Sequence, residues 1–199
     1  MMFDQALKGR PSWLDLPGTT PRELSVARWQ AEADDGDGVL LDACTGPTLD
    51  VGCGPGRLVT ALLSRHVQAL GIDVSGEAIR RTTARGGIAL RRDVFKELPG
   101  EGRWRHVLLA DGNIGIGGDP EALLRRAHQL LEPSGTVVAE VERPGSGLTV
   151  GRARVRTGNA NSGWFEWAWS DAESLTGDGF FLLWHRERAG RWFACWEKL

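Results

Sequence analysis

Between Thr48 and Val141 the chain alternates two hydrophobic rhythms. Short apolar runs of strand length occur at Thr48–Val51, Gln68–Val74, Ile88–Arg91, Trp104–Ala110 and Thr136–Val141. Between them lie stretches whose apolar residues recur at helical spacing, the mark of a helix with one buried face. One begins at Leu58. A second is opened by Ser75, whose hydroxyl suits an N-cap, with Glu77 in its first turn, and runs to about Ala84. A third follows Asp119 as cap and Pro120 at the first helical position, with Ala122, Leu123, Ala127, Leu130 and Leu131 as its stripe. Strands that alternate with helices predict a parallel sheet covered on both faces. Asp93 to Arg103 leaves too little chain for a regular helix, so a turn is expected there.

The flanks follow other patterns. Residues 1–47 read as a helical lid or lead-in, with a helix over Pro21–Gln30. Asp34-Asp35-Gly36-Asp37-Gly38 lacks the distal Glu of a calcium loop and reads as a helix-capping turn before Val39-Leu40-Leu41. Beyond the fifth strand, Leu148–Thr157 alternates strictly and sets Arg152, Arg154 and Arg156 on one face. Turn formers fill Gly158–Gly163, and Trp164–Trp169 follows, so a β-hairpin is predicted over 145–170. Asp171–Thr176 reads as a short helix. Two more strands are expected at Phe180–His185 and Arg191–Trp196, joined through Ala189-Gly190.

The chemistry is concentrated where the first strand ends, at Asp50-Val51-Gly52-Cys53-Gly54-Pro55-Gly56. Glycine is needed where backbone turns through positive φ or touches a ligand directly. The spacing is G-x-G-x-G, not the G-x-G-x-x-G of a dinucleotide site, and Arg57-Leu58 stands where a P-loop would carry Lys and Ser or Thr. Asp73 closes the second strand, where a carboxylate can accept from a ribose diol. Asp93 and Val94 follow the third, and Leu131-Glu132-Pro133-Ser134-Gly135 precedes the fifth. In this order the segments resemble the class I S-adenosylmethionine-dependent methyltransferases. The resemblance implies an α/β, three-layer Rossmann-like fold with a seven-stranded sheet, mostly parallel with an antiparallel C-terminal hairpin. The β-hairpin after strand five is an insertion into it. It implies one methyltransferase domain over residues 1–199, with 48–141 as cofactor core and 171–199 as the last strands. S-adenosylmethionine would be the cofactor and S-adenosylhomocysteine the product. Asp50, Gly52, Cys53, Gly54 and Gly56 would bind the cofactor, with Asp111. Asp73 would hold the ribose, Val74 and Val94 would flank adenine, and Asp93 would face its amino group.

Composition narrows the setting. The formal net charge of −2 over 199 residues argues against nucleic acid or an anionic membrane as partner. Met1–Gln5 shows neither a basic start nor an apolar run of signal length, and no apolar stretch reaches membrane-span length, so a cytoplasmic protein is expected. Cys44, Cys53 and Cys195 have no metal or redox spacing, and no metal is expected. The histidines His66, His106, His128 and His185 are expected in core or surface positions.

Methyl transfer from a sulfonium is an in-line displacement that depends chiefly on alignment, with a base needed only where the acceptor must lose a proton. The loop Ala110–Asp119 leaves strand four at the place the methyl group would occupy. Asp111 is a candidate for contact with the cofactor or for a base, and Asn113 for orienting the acceptor. Arg28, Trp29, Arg154 and Trp167 are candidates for a small-molecule or short-peptide acceptor, acidic if the arginines serve it, aromatic if the tryptophans do. Glu140 and Glu142 are expected to serve substrate or to pair with Arg143. The Asn/Asp-Pro-Pro-Tyr/Phe tetrad of amino-methyltransferases is absent after strand four, which favours oxygen over an aromatic amine. Two other readings stay open: a non-catalytic protein that binds the cofactor or its product, and a nicotinamide-dependent oxidoreductase. The antiparallel edge offers a surface for a homodimer.

Overall fold

The computed structural model describes residues 3–17 and 20–199. Its centre is a seven-stranded sheet. The strands are β3 (Thr48–Val51), β4 (Ala69–Asp73), β5 (Ala89–Arg91), β6 (Trp104–Leu109), β7 (Leu131–Val141), β11 (Phe180–Arg188) and β12 (Arg191–Lys198). The order across the sheet is β11-β12-β7-β6-β3-β4-β5. The five strands from β3 to β7 pair in parallel. β12 runs antiparallel to both β7 and β11.

Central strands must be apolar on both faces, and β3 is buried along its whole length. On one face Leu49, Val107, Leu109 and Val137 pack against Leu123, Leu124, Ala127 and Leu130 of α6 (Pro120–Leu130). On the other, Leu108 and Val138 meet Leu40 and Leu41 of α3 (Asp37–Ala43) and Leu58, Val59 and Leu62 of α4 (Arg57–Ser64). The caps are as the sequence predicts. Ser75 Oγ accepts from the N–H groups of Glu77 and Ala78 at the start of α5 (Gly76–Ala84). Asp119 Oδ1 accepts from Ala122 N–H at 2.9 Å. No regular helix forms over 93–103, where Asp93 Oδ1 accepts from Phe95 N–H instead.

A second sheet stands beside the first. The expected hairpin is present: β8 (Leu148–Thr157) pairs antiparallel with β10 (Phe165–Ser170), from Phe165 opposite Ala153 to Ser170 opposite Leu148. A short β9 (Ala160–Asn161) pairs with the end of β8. The unpredicted part comes from the amino-terminal segment. β1 (Trp13–Asp15) and β2 (Arg22–Glu23) extend this sheet in the order β10-β8-β1-β2.

Two expectations are therefore corrected. The segment 1–47 is not simply helical, and Gly18 and Thr19 within it, with Met1 and Met2, lie outside the described residues. The helix predicted over Pro21–Gln30 shrinks to α2 (Val26–Gln30), because Arg22 and Glu23 are drawn into pairing with β1 and Leu24 N–H donates to Ser12 O. A four-residue α1 (Asp4–Leu7) precedes it. The helix expected at Asp171–Thr176 is a turn, in which Asp171 accepts from the N–H groups of Ser174 and Gly147. Among the described residues no helix is long and apolar enough to cross a membrane.

Candidate cofactor and acceptor cavity

A cavity of about 670 Å³ opens at the carboxyl ends of β3, β4 and β6, between the main sheet and the small one. Its first half gathers residues that the sequence singled out. Asp50, Gly52, Cys53, Gly54, Asp73, Val74, Asp93, Val94 and Asp111 all line it. Gly56 stands just behind, at the mouth of α4, with φ +85°. A side chain there would put its Cβ 2.6 Å from Thr82 Cγ2 and 2.9 Å from that residue's Cα, so only glycine lets α4 start against α5. Gly52, at φ +73°, is equally constrained: its Cβ would lie 2.6 Å from Asn113 Nδ2.

Asp73 is bound to the glycine turn. Gly54 N–H donates to its Oδ2 at 3.1 Å and Ser75 N–H to its Oδ1 at 2.8 Å. Burial pushes its carboxyl up, and these two N–H groups oppose that shift. Asp50 is 2% exposed, and its pKa is pushed up to about 8 by burial first and then by the charges of Asp111 and Asp73. Cys53 is buried beside Thr82, and burial carries its thiol well above the ordinary value, which suits packing and not reactivity.

The loop after β6 differs from expectation. Asp111 has a left-handed backbone, φ +53°, and both of its carboxylate oxygens carry guanidinium partners. Arg28 Nη2 donates to Oδ1 and Arg57 Nη2 to Oδ2, each at 2.6 Å. Both carboxylate oxygens are thus engaged in charge-assisted hydrogen bonds. Asn113 Nδ2 donates to Val51 O at 2.9 Å and Gly52 O at 3.0 Å. Its amide ties the glycine turn to the loop and does not reach for an acceptor.

A chain of buried charges runs behind the cavity. Arg57 also pairs with fully buried Asp37, which accepts from Arg191 at 3.0 Å. Arg191 in turn holds Glu140 at 2.7 Å, and Glu140 Oε2 accepts from Asp111 N–H. Burial raises the Glu140 carboxyl, but Arg191 and Arg28 outweigh it and hold the group below its usual range. The expected partner of these carboxylates, Arg143, is not the one they have: Glu140 pairs with Arg191, and Glu142 with Arg22 at 2.6 Å. Arg57 immediately follows Gly56, and that position was the only local signal for this network.

The second half of the cavity is lined by the amino-terminal segment and by β10. Arg28, Trp29 and Trp167 are in it, as expected. Arg154 is not. It faces Asp15 at 3.4 Å and lies over the Trp164 ring, 4.9 Å from its centre. Arg156 likewise takes Asp15 and the Trp13 ring, and Arg152 takes Glu166. The arginine row thus belongs to the far face of the small sheet, and the expectation of an acidic acceptor built on it is withdrawn. Among the described residues no cluster of His, Cys, Asp and Glu is arranged to hold a metal ion.

Residues 48–135 match the model of the family described as methyltransferase domain. No curated protein sequence matches the chain. Among solved structures, a SAM-dependent methyltransferase from Bacteroides fragilis in complex with S-adenosyl-L-homocysteine is similar, with a TM-score of 0.78 and 20% identity. That likeness covers 98% of this chain and 91% of that one. The Burkholderia thailandensis 1,6-didemethyltoxoflavin-N1-methyltransferase, with bound 1,6-didemethyltoxoflavin and S-adenosylhomocysteine, has a TM-score of 0.55 and 20% identity over 76% of this chain and 70% of that one. The glycopeptide N-methyltransferase MtfA has a TM-score of 0.60 and 14% identity over 83% of this chain and 96% of that one. These likenesses establish the fold.

Proposed function

We propose that this protein transfers a methyl group from S-adenosylmethionine to a small-molecule acceptor, because residues 48–135 match the model of a methyltransferase domain and the chain has the fold of such enzymes. The observation that carries the reading is the joint between Gly54 and Asp73, which sets a carboxylate beside a bare-backbone turn at the edge of the sheet. The cavity fits the cofactor's parts. Asp73 would hold the ribose hydroxyls, Val74 and Val94 would border adenine, Asp93 would face the adenine amino group, and the Gly52–Gly54 backbone with Asp50 would line the methionine portion; all of these residues line the cavity. When bound, S-adenosylmethionine supplies an electrophilic methyl group on a sulfonium centre.

The protein's own contribution is alignment. Arg28 and Arg57 fix Asp111, Asn113 fixes the glycine turn, and the small sheet closes the other side of the cavity. Asp-Gly-Asn-Ile at 111–114 lacks the stacking aromatic and the prolines of the amino-methyltransferase tetrad, which supports an oxygen acceptor. A second reading, nitrogen, is favoured by the names of two neighbours, an N1-methyltransferase and an N-methyltransferase.

Calorimetry with S-adenosylhomocysteine tests the cofactor assignment. The wild type is expected to bind. Asp73→Asn is expected to bind roughly tenfold to a hundredfold more weakly, the value of hydrogen bonds to a charged group. Equal affinity of the two proteins would falsify the assignment. Mass spectrometry and NMR of a methylated product then distinguish oxygen from nitrogen.

A further inference from the structure

The acceptor half of the cavity is aromatic, and both of its arginines are already paired with carboxylates. Residues alternate faces along a strand, so Phe165, Trp167 and Trp169 share one face of β10, and all three line the cavity. Phe3 packs directly against two of them. Its ring centre lies 5.6 Å from that of Phe165 and 6.0 Å from that of Trp167, and Trp29 stands 6.3 Å behind it. The rings are tilted or edge-on to one another, interplanar angles running from 57° to 87° among Phe3, Phe165 and Trp167. Such rings are not stacked among themselves, and a flat guest gains both face and edge contacts with them. An isolated bridge between Ile116 and Trp167 ties this wall to the loop that carries Asp111 and Asn113.

Three of the charged side chains at the same end are paired. Arg22 is bound to Glu142 and lies over the Trp169 ring, Arg28 is bound to Asp111, and Glu166 is paired with Arg152. An anionic acceptor would have to break the Arg22 or the Arg28 pair to gain its own.

We propose that the acceptor is a planar, uncharged aromatic or heteroaromatic molecule that seats its ring against Trp167, Phe165 and Phe3. The inference rests on the methyl-transfer reading and names the substrate class of that same cavity. Transfer to it would form a bond from a lone pair of the acceptor to the methyl carbon, while the carbon–sulfur bond breaks and its electron pair stays on sulfur, and the acceptor's O–H or N–H proton leaves to water at the cavity mouth.

The test uses protein saturated with S-adenosylhomocysteine and a matched set of two-ring probes, followed by calorimetry. The set is 2-naphthol, its saturated counterpart decahydro-2-naphthol, the 2-naphthoate anion and the 2-naphthylmethylammonium cation. 2-Naphthol is expected to bind about tenfold or more tightly than the other three, a ratio that one aromatic stacking contact supplies. Trp167→Leu and Phe165→Leu are each expected to remove that preference and to leave S-adenosylhomocysteine affinity within about twofold, well under the value of one such contact. Equal binding of the saturated probe, preference for either ion, absence of binding by all four, or loss of S-adenosylhomocysteine binding in both variants would each overturn the inference. Failure of the wild type to bind S-adenosylhomocysteine would instead strike the methyl-transfer reading.

Discussion

Arg57 and Asp111 are joined at 2.6 Å, so the first residue of the helix behind the glycine turn is clamped to the second residue beyond β6. The other side of the same guanidinium grips Asp37, which has no exposure to water. Removing one partner of a buried pair leaves the other charge uncompensated, which is far more costly than never burying the pair. Arg57→Met is expected to lower stability by roughly 3 kcal/mol, the low end for such a loss because Arg191 still faces Asp37. Urea denaturation at constant pH measures this. A change below about 1 kcal/mol, the usual value of a surface pair, would show that the network is not needed for the fold.

Asn113 distinguishes a structural tie from an acceptor-orienting group. Asn113→Ala frees the carbonyls of Val51 and Gly52 from their donor. Cofactor affinity is expected to fall roughly tenfold, as for loss of a buried hydrogen bond, while the KM for the acceptor stays nearly unchanged. The opposite split in steady-state kinetics would restore Asn113 to the acceptor.

Asp50 gives the cofactor site a pH dependence with a defined sign. In the free protein its carboxyl stands at about 8, so below that pH it is mostly protonated. A positively charged donor in the cavity favours the ionised form, and binding therefore expels a proton. Affinity for S-adenosylmethionine is expected to rise with pH, by up to about tenfold per unit, and to level off above about 8. Asp50→Asn is expected to flatten that rise. Calorimetry in buffers of different ionisation enthalpy counts the proton directly, and a zero count below neutral pH would contradict the expectation.

His106 sets an acid limit on the fold. Thr45 N–H donates to its Nε2 at 3.0 Å, which leaves Nδ1 to carry the hydrogen and donate to Thr136 Oγ1 at 2.8 Å. A protonated ring would oppose one donor with another. Burial, assisted by Arg105, lowers its pKa from 6.5 to about 4. The unfolded chain takes up this proton first, so the contribution is complete above pH 6.5 and is lost as pH falls toward 4. A loss of up to roughly 3 kcal/mol across that window is expected. Replacement by Gln should weaken the slope of stability against pH, as read by denaturant titration at several pH values.

What was legible in the sequence was local. Ser75 and Asp119 cap helices through N–H groups two or three residues ahead, so the signal and its partner lie in one window. The order of strands β3 to β7 follows from alternation and from the glycine turn. The missed features join distant parts of the chain. Asp37 and Arg191 are 154 residues apart, and Arg154 meets an aspartate 139 residues before it. Alternation placed the arginines of β8 on one face correctly, but it could not say which face looked into the cavity. Arg22 and Glu23 read as helix because their strand exists only by pairing with β1, which is itself held on β8.

That pairing has a temporal consequence. The parallel strands that carry the glycine turn and Asp73 are all in place once residue 141 has been made. The small sheet cannot close until Trp13–Asp15 finds Arg154–Arg156, which leave the ribosome much later. In a nascent chain, therefore, the parallel strands that carry the glycine turn are complete before the wall opposite them can close.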